Sequence, residues 1–251
     1  VLPVRVKVKD ENETGGMERF AGFVISQQKP LLYGTAAIML LLVALIPLNQ
    51  LDDRFVEYFD TRVDFRNDTD YTSQNLTGIY QIEYSLSGGE EGSISDPEYL
   101  QAMESFAEWF RMQPGVDHVS TFTDIIKRLN FNMHNDDPAY YRLPDSRDLA
   151  AQYLLLYEMS LPYGLDLNNQ VNVDKSATRF IVTVQNMSAI EIQELAETGE
   201  SWLQKNAPVS MHSAKGSGPV LMFSHISGVN IRSMMIGTID ALIVISLKMV
   251  F

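Results

Sequence analysis

The sequence predicts an α+β fold, a split β-α-β sandwich flanked by transmembrane helices. Three observations predict it. A strand–helix–strand order occurs twice, near residues 80–120 and again near 179–214. Turn and cap signals separate those elements. Two long apolar runs, residues 30–51 and 233–251, bracket the polar body between them.

A chain of 251 residues with 45% hydrophobic content has room for a sizeable core and one or two domains. It holds 19 Lys+Arg against 32 Asp+Glu, a formal net charge of −13. That balance argues against nucleic acid as a partner, because phosphate binding needs clustered basic residues. With no cysteine, disulfides, thiolate zinc sites and iron–sulfur clusters are excluded. Charged residues at 20% and aromatics at 10% exclude a disordered tail. Val1 opens the chain and Phe251 closes it inside an apolar run, so both ends are expected to continue into a longer protein.

Residues 1–29 read as a cytoplasmic linker. Met17, Phe20, Ala21 and Val24 recur at i, i+3, i+4 and i+7, the stripe of a helix lying on a membrane surface. Residues 30–51 contain no ionisable acid or base, and at about 1.5 Å per residue they can cross a hydrocarbon core of roughly 30 Å. Gly34 and Pro47 are tolerable in such a helix. Five bases precede this span, whereas residues 52–232 carry 13 bases against 27 acids. The positive-inside rule then places the leading stretch in the cytoplasm and residues 52–232 outside.

Within that body, Tyr80, Ile82, Tyr84 and Leu86 alternate with polar residues, as in a half-buried strand. Ser87-Gly88-Gly89 is a turn. Asp96-Pro97-Glu98 supplies an N-cap, a first-turn proline and an acid for a helix burying Leu100, Met103, Phe106, Ala107 and Phe110. It ends at Pro114-Gly115, and a strand over 116–120 follows. Thr121 with Asp124 caps a helix over 124–130, and Asp145 with Asp148 opens one over 146–158. Residues 159–175 read as irregular, with a turn at Pro162-Tyr163-Gly164. Phe180, Val182 and Val184 form the next strand. Ser188 and Glu191 make a capping box, worth about 1 kcal/mol to the helix carrying Ile192, Leu195, Ala196, Gly199, Trp202 and Leu203. Residues 209–214 are expected to return as a strand, and a helix over 219–231 to lead into the second span at 233–251. Two such units suggest a ferredoxin-like arrangement, helices covering one face of a mainly antiparallel sheet.

No motif for chemistry stands out. His118, His134, His212 and His225 lack HxxxH or HExxH spacing, so surface imidazoles are the better reading than a metal site. Residues 166–174 alternate polar groups like a calcium loop. Val171 stands where glycine is required, however, and Ala177 where the closing Glu belongs. His134-Asn135-Asp136-Asp137-Pro138 reads as a solvated turn. No GxSxG, P-loop or GxGxxG with a following acid occurs. We therefore expect no enzyme activity, cofactor or metal. Met103, Phe106, Phe110, Tyr153, Tyr157 and Met159 fit core positions first. They are also the candidates for lining the path of a greasy substrate, which adaptable side chains suit. Asp240 and Lys248 lie in the second span and carry no assigned role.

The order of elements resembles a membrane exporter of the resistance–nodulation–division superfamily, in its MMPL-type branch. The resemblance rests on NLTGIYQIEYSL (75–86), SDPEYLQAMESFAEWFRMQPGVDHVSTFTDIIKRLN (95–130) and LPDSRDLAAQYLLLYEMSLPYGLDLNNQVNVDKSATRF (143–180), framed by LDDRFVEYFD (51–60) and GVNIRSMMIGT (228–238). It implies that residues 52–232 are the second porter domain, on the periplasmic side of a bacterial inner membrane. Residues 30–51 would be the seventh span and 233–251 the start of the eighth. It further implies proton-driven export of a hydrophobic or lipid-like molecule. The implied partners are the bilayer, that substrate, the remaining helices of the parent transporter and, in some assemblies, further copies of the chain. The acidic coupling residues of such exporters belong to a later span and cannot be carried over. A membrane-tethered extracytoplasmic sensor and a Patched-like sterol-sensing receptor share the layout and remain as alternatives.

Overall fold

The computed structural model describes residues 16–45, 54–162 and 167–250 and divides the chain into two units, residues 1–51 and 52–251. Residues 1–15, the apolar run beyond Leu45 with Pro47, and the Tyr163-Gly164 part of the expected turn lie outside the described residues.

The first unit holds α1 (Gly16–Ser26) and α2 (Gln28–Leu45). Gln27 separates them. Pro30 has no N–H to offer the Ser26 carbonyl, which explains a break at that point. The backbone nevertheless carries bonds across it, from Gln27 N–H to Phe23 O and from Leu31 N–H to Gln27 O. The expected stripe of Met17, Phe20, Ala21 and Val24 is on α1, wholly exposed. α2 is long and apolar enough to cross a membrane.

The second unit is α+β. Its helix α3 (Asp64–Asn75) is mostly polar, with Phe65 and Tyr71 exposed, and carries the Arg66–Asp70 pair at 2.6 Å, one turn apart. Hydrophobic periodicity could not have revealed it. Then come β1 (Tyr80–Ser87), α4 (Pro97–Arg111), β2 (Val116–Ser120), α5 (Phe122–Met133), α6 (Arg147–Ser160), β3 (Ala177–Val184), α7 (Ala189–Asn206) and α8 (Pro219–Val250).

The sheet order is β1-β3-β2, antiparallel at both joins, with Ile82 opposite Val182 and Tyr84 opposite Phe180. Helices α4 and α7 thus each follow a strand, β1 and β3, and β3 lies between β1 and β2 in the sheet. Period-two alternation sends Ile82, Tyr84, Leu86, Val119, Phe180, Val182 and Val184 to one face, where all are buried. Phe106 is the hub of the helix layer against that face. Its ring centroid lies 4.8 Å from those of Phe110 and Phe180, 5.2 Å from Trp202 and 5.5 Å from Tyr84. Edge-to-face and offset contacts of this kind add about 0.5–1.5 kcal/mol each beyond area burial. Two phenols enter this core because their hydroxyls find partners. Tyr84 donates to Ala196 O at 3.0 Å and Tyr99 to Leu86 O at 2.9 Å. Burial pushes both phenols well above the usual tyrosine range.

On the opposite face of the sheet Gln81, Ser85, His118, Ser120 and Arg179 are exposed. Across it Arg179 forks onto Glu83 through Nε (3.0 Å) and Nη2 (2.6 Å).

Three expectations need correction. Residues 209–214 do not form a strand. Val209–Met211 is a 3-10 turn, closed by Met211 N–H on Pro208 O and by the His212 ring on Ala207 O. Met211 and Ala214, three apart, are the buried positions, which is turn spacing rather than strand alternation. A fourth strand survives only as one bridge, Ser217 to the outer edge of β1 at Glu83, with N–H···O distances of 2.9 and 2.8 Å. Asp96 makes no side-chain cap for α4; its carboxylate pairs with Arg147 Nε at 3.1 Å. Ser146, not Asp145, caps α6 by accepting from Leu149 N–H, while Asp145 pairs with Arg142. Both aspartates had a cation within reach, and a charge pair displaced the local cap. The Thr121 cap, which accepts from Asp124 N–H, and the capping box at Ser188–Glu191 form as expected.

A candidate ligand groove at the foot of the long helix

The helix α8 starts where two constraints meet. Gly218 has φ +125°, and a Cβ there would lie 2.9 Å from Gln81 O. A glycine is therefore required for the chain to pass β1 so closely. Pro219 follows at the first helical position, where a missing N–H costs nothing. From there the helix runs unbroken for 32 residues, and Pro219–Lys248 is long and apolar enough to cross a membrane. No break separates the expected return helix from the expected span, and no proline occurs between residues 220 and 250.

The first turns of α8 present Val220, Phe223, Ser224 and Ser227 along one face. Facing them are Ile79 and Tyr80 at the start of β1, Met187 and Ile192 around the start of α7, and Tyr58. Together they enclose a groove of about 520 Å³. Ile192 is fully buried beneath it, whereas Phe223 is 64% exposed at its mouth. The Ser224 hydroxyl is satisfied by Leu221 O at 3.1 Å, so it offers the groove little unspent polarity. Burial raises the Tyr80 phenol above its ordinary range; a hydrogen bond with the Val56 backbone opposes that shift. The lining contains no nucleophile–base pair and no cluster of carboxylates. Its chemistry is that of a binding groove for an apolar chain, with Gln81 and Asn230 as the polar groups along it.

A second groove of about 520 Å³ lies at the edge of the open sheet face, between β2, β3 and α5. Beside it, Glu104 of α4 is 8% exposed and fully engaged. It accepts from Lys127 Nζ (2.6 Å), Arg111 Nη1 (3.4 Å) and Thr123 Oγ1 (2.5 Å). Burial alone would pull Lys127 down, but its bonds with Glu104 and Asp124 outweigh that and leave its ammonium raised.

The six sequence-based path candidates are not brought together. Met103, Phe106 and Phe110 lie on α4 at 0% exposure inside the core. Tyr153 is buried and donates to Asn130 Oδ1 at 3.0 Å. Tyr157 lines the second groove, and Met159 stands 78% exposed on the last turn of α6. Sequence reading missed Ile79, Met187 and Phe223, although the spacing Val220, Phe223, Ser224, Ser227 is a legible helix face.

The four histidines are scattered. His134 stacks on Tyr140 at 3.7 Å between ring centroids, His212 bonds to backbone, and His118 and His225 are exposed on different elements. Asn172, in the calcium-like stretch, accepts at its Oδ1 from the N–H groups of Ser176 and Ala177 and thereby shapes the loop into β3. Among the described residues no group of three or more His, Asp or Glu could hold a metal ion.

Compared with known proteins, the chain matches no protein-family model and no curated protein.

Proposed function

We propose that this chain is part of a proton-motive-force-driven exporter of the resistance–nodulation–division type, MMPL-like, whose residues 52–232 form a porter domain outside the membrane. The observation that carries the reading is the 32-residue helix α8. Its first turns line an apolar groove in an α+β domain and its remainder is long and apolar enough to span a bilayer. A lipid-like molecule could move from bilayer to domain along such a helix without exposing its chain to water, which apolar burial favours by about 25 cal/mol per Å².

The topology supports the same reading. Strands in the order β1-β3-β2, with the Ser217 bridge outside β1, follow the pattern of a ferredoxin-like split β-α-β domain reduced at its fourth strand. Porter domains of this superfamily resemble such repeats. On this reading the bilayer, a hydrophobic substrate and the other helices of the parent transporter are the partners, and the membrane is a bacterial inner membrane.

The test uses the parent protein in cells. Residues 1–251 carry no cysteine, and with any cysteine elsewhere in the parent replaced first, one introduced thiol is the reporter. Lys205→Cys, on the exposed side of α7, should react with an impermeant maleimide from outside, and Arg19→Cys should not. Export of a fluorescent lipid analogue should stop on collapsing the proton gradient and in Phe223→Asp. Labelling at residue 19 but not 205, or export indifferent to the gradient, would sink the proposal.

A further inference from the structure

The groove at the edge of the open sheet face is built differently from the one at the foot of α8. Its floor is apolar, with Ile181 of β3 and Ile125 and Leu129 of α5. Its rim carries three arginines, Arg111, Arg128 and Arg179, against one carboxylate, Asp124. Such a rim is unexpected in residues 52–232, where acids outnumber bases 27 to 13. Two of the three are paired, Arg111 with Glu104 and Asp124 and Arg179 with Glu83, so Arg128 is the cation in excess.

The donors are also unspent. A guanidinium has five N–H groups in a fixed fork. Arg179 gives Nε and Nη2 to Glu83, and its Nη1 has no partner among the described residues. Arg111 uses Nη1 on Glu104 and Nη2 on Asp124, which leaves Nε. Arg128 makes no hydrogen bond or ion pair among the described residues. Its guanidinium carbon sits 5.9 Å from the Tyr141 ring centroid, with Lys127 Nζ 5.6 Å from the same ring. Ring contact holds Arg128 at the rim and leaves its whole fork available.

We propose that this groove binds an anionic group attached to a short apolar chain, the phosphate or carboxylate meeting Arg128 with help from Arg179 and Arg111, and the chain lying on Ile181 and Leu129. The proposal is independent of the membrane reading, since every residue it uses is in the α+β domain.

The full chain is reconstituted in phosphatidylcholine nanodiscs, with Asn132→Cys at the groove wall carrying an environment-sensitive dye. Hexyl phosphate, inorganic phosphate and hexanol are titrated separately. Hexyl phosphate should shift the dye saturably and hexanol should not. R128E should weaken hexyl phosphate at least fivefold, in keeping with the loss of a charge-assisted fork. Inorganic phosphate should bind more weakly than hexyl phosphate, and equal saturation by the two overturns the proposal. Arg128 is exposed, so tryptophan emission and melting temperature should not change; if they do, Arg128→Gln replaces R128E. A smaller loss, equal titration by hexanol, or capture of an acidic peptide in place of hexyl phosphate overturns the proposal.

Discussion

Gly199, in the middle of α7, opposes two effects of comparable size, and the structure decides the sign. Replacing a glycine by alanine inside a helix ordinarily stabilises by about 0.8–1.0 kcal/mol, through the reduced freedom of the unfolded chain. A Cβ at residue 199, however, would lie 2.7 Å from Tyr84 Oη and 2.8 Å from Phe110 Cζ. Both rings are buried and locked by their neighbours, with Phe110 5.8 Å from Tyr84 and 4.8 Å from Phe106. Neither can swing to solvent. Overpacking of this kind costs about 1–3 kcal/mol. Moving the Tyr84 hydroxyl also strains its 3.0 Å bond to Ala196 O, worth about 1 kcal/mol and more if the buried group is left unsatisfied. The net expectation for G199A is a loss of about 2 kcal/mol.

Trp109 and Trp202 are the chain's two tryptophans, and both sit in the aromatic layer of this domain. Their emission therefore follows unfolding of the α+β domain and not of the apolar helices. A thermal melt should fall by about 4–8 °C for a domain of this size. Thr198→Ala, one residue earlier and exposed, is the control and should melt at or slightly above the parent. Adding Tyr84→Phe to G199A removes the nearer of the two clashing atoms, so the double variant should lose less than the sum of the singles. G199A melting as high as the parent would refute the packing argument.

Four further outcomes are expected. Ser188→Ala should cost about 1 kcal/mol through loss of the cap bond to Glu191 N–H, read in the same melt. Glu191 is held below its ordinary range by the Ser188 backbone N–H and hydroxyl; its stabilisation is complete above the unfolded glutamate pKa of about 4.3 and is lost as pH falls through the folded value, so Glu191→Gln should flatten the acid limb of stability against pH. Glu104→Ala removes the shared acceptor of Lys127, Arg111 and Thr123; Lys127 keeps Asp124 at 3.1 Å and Thr123 keeps Thr121 at 2.6 Å, so the loss should be about 1–3 kcal/mol, and Glu104→Met with Lys127→Met should cost less, a contrast measured by denaturant melts. Phe223→Asp should leave the melt unchanged, its ring being largely exposed, while reducing binding of a fluorescent fatty-acid analogue at least about tenfold.

Most of the α+β body was legible because its signals are local. Tyr80 to Leu86 alternate strictly, and the strand and its buried face follow from that one pattern. Ser188 and Glu191 stand three apart at a helix start and do what that spacing allows. The failures came where a distant charge or a turn competed with the local preference. Arg147, 51 positions after Asp96, drew that carboxylate away from α4. Pro208 and the buried Met211–Ala214 spacing curled residues 209–214 into a turn.

The foot groove was illegible for a different reason. Ile79 and Phe223 are 144 positions apart, and nothing in either neighbourhood names the other. They meet because Ser217 bridges Glu83 on the outer edge of β1, and Gly218 then permits the helix to begin against Gln81. The shortening of the fourth strand to a single bridge is thus what frees the next residues to enter α8 immediately. A full strand over 209–214 would have extended the sheet and given the helix a different point of departure. The missing strand and the apolar groove are two consequences of one local choice, made by the glycines and proline at 216, 218 and 219.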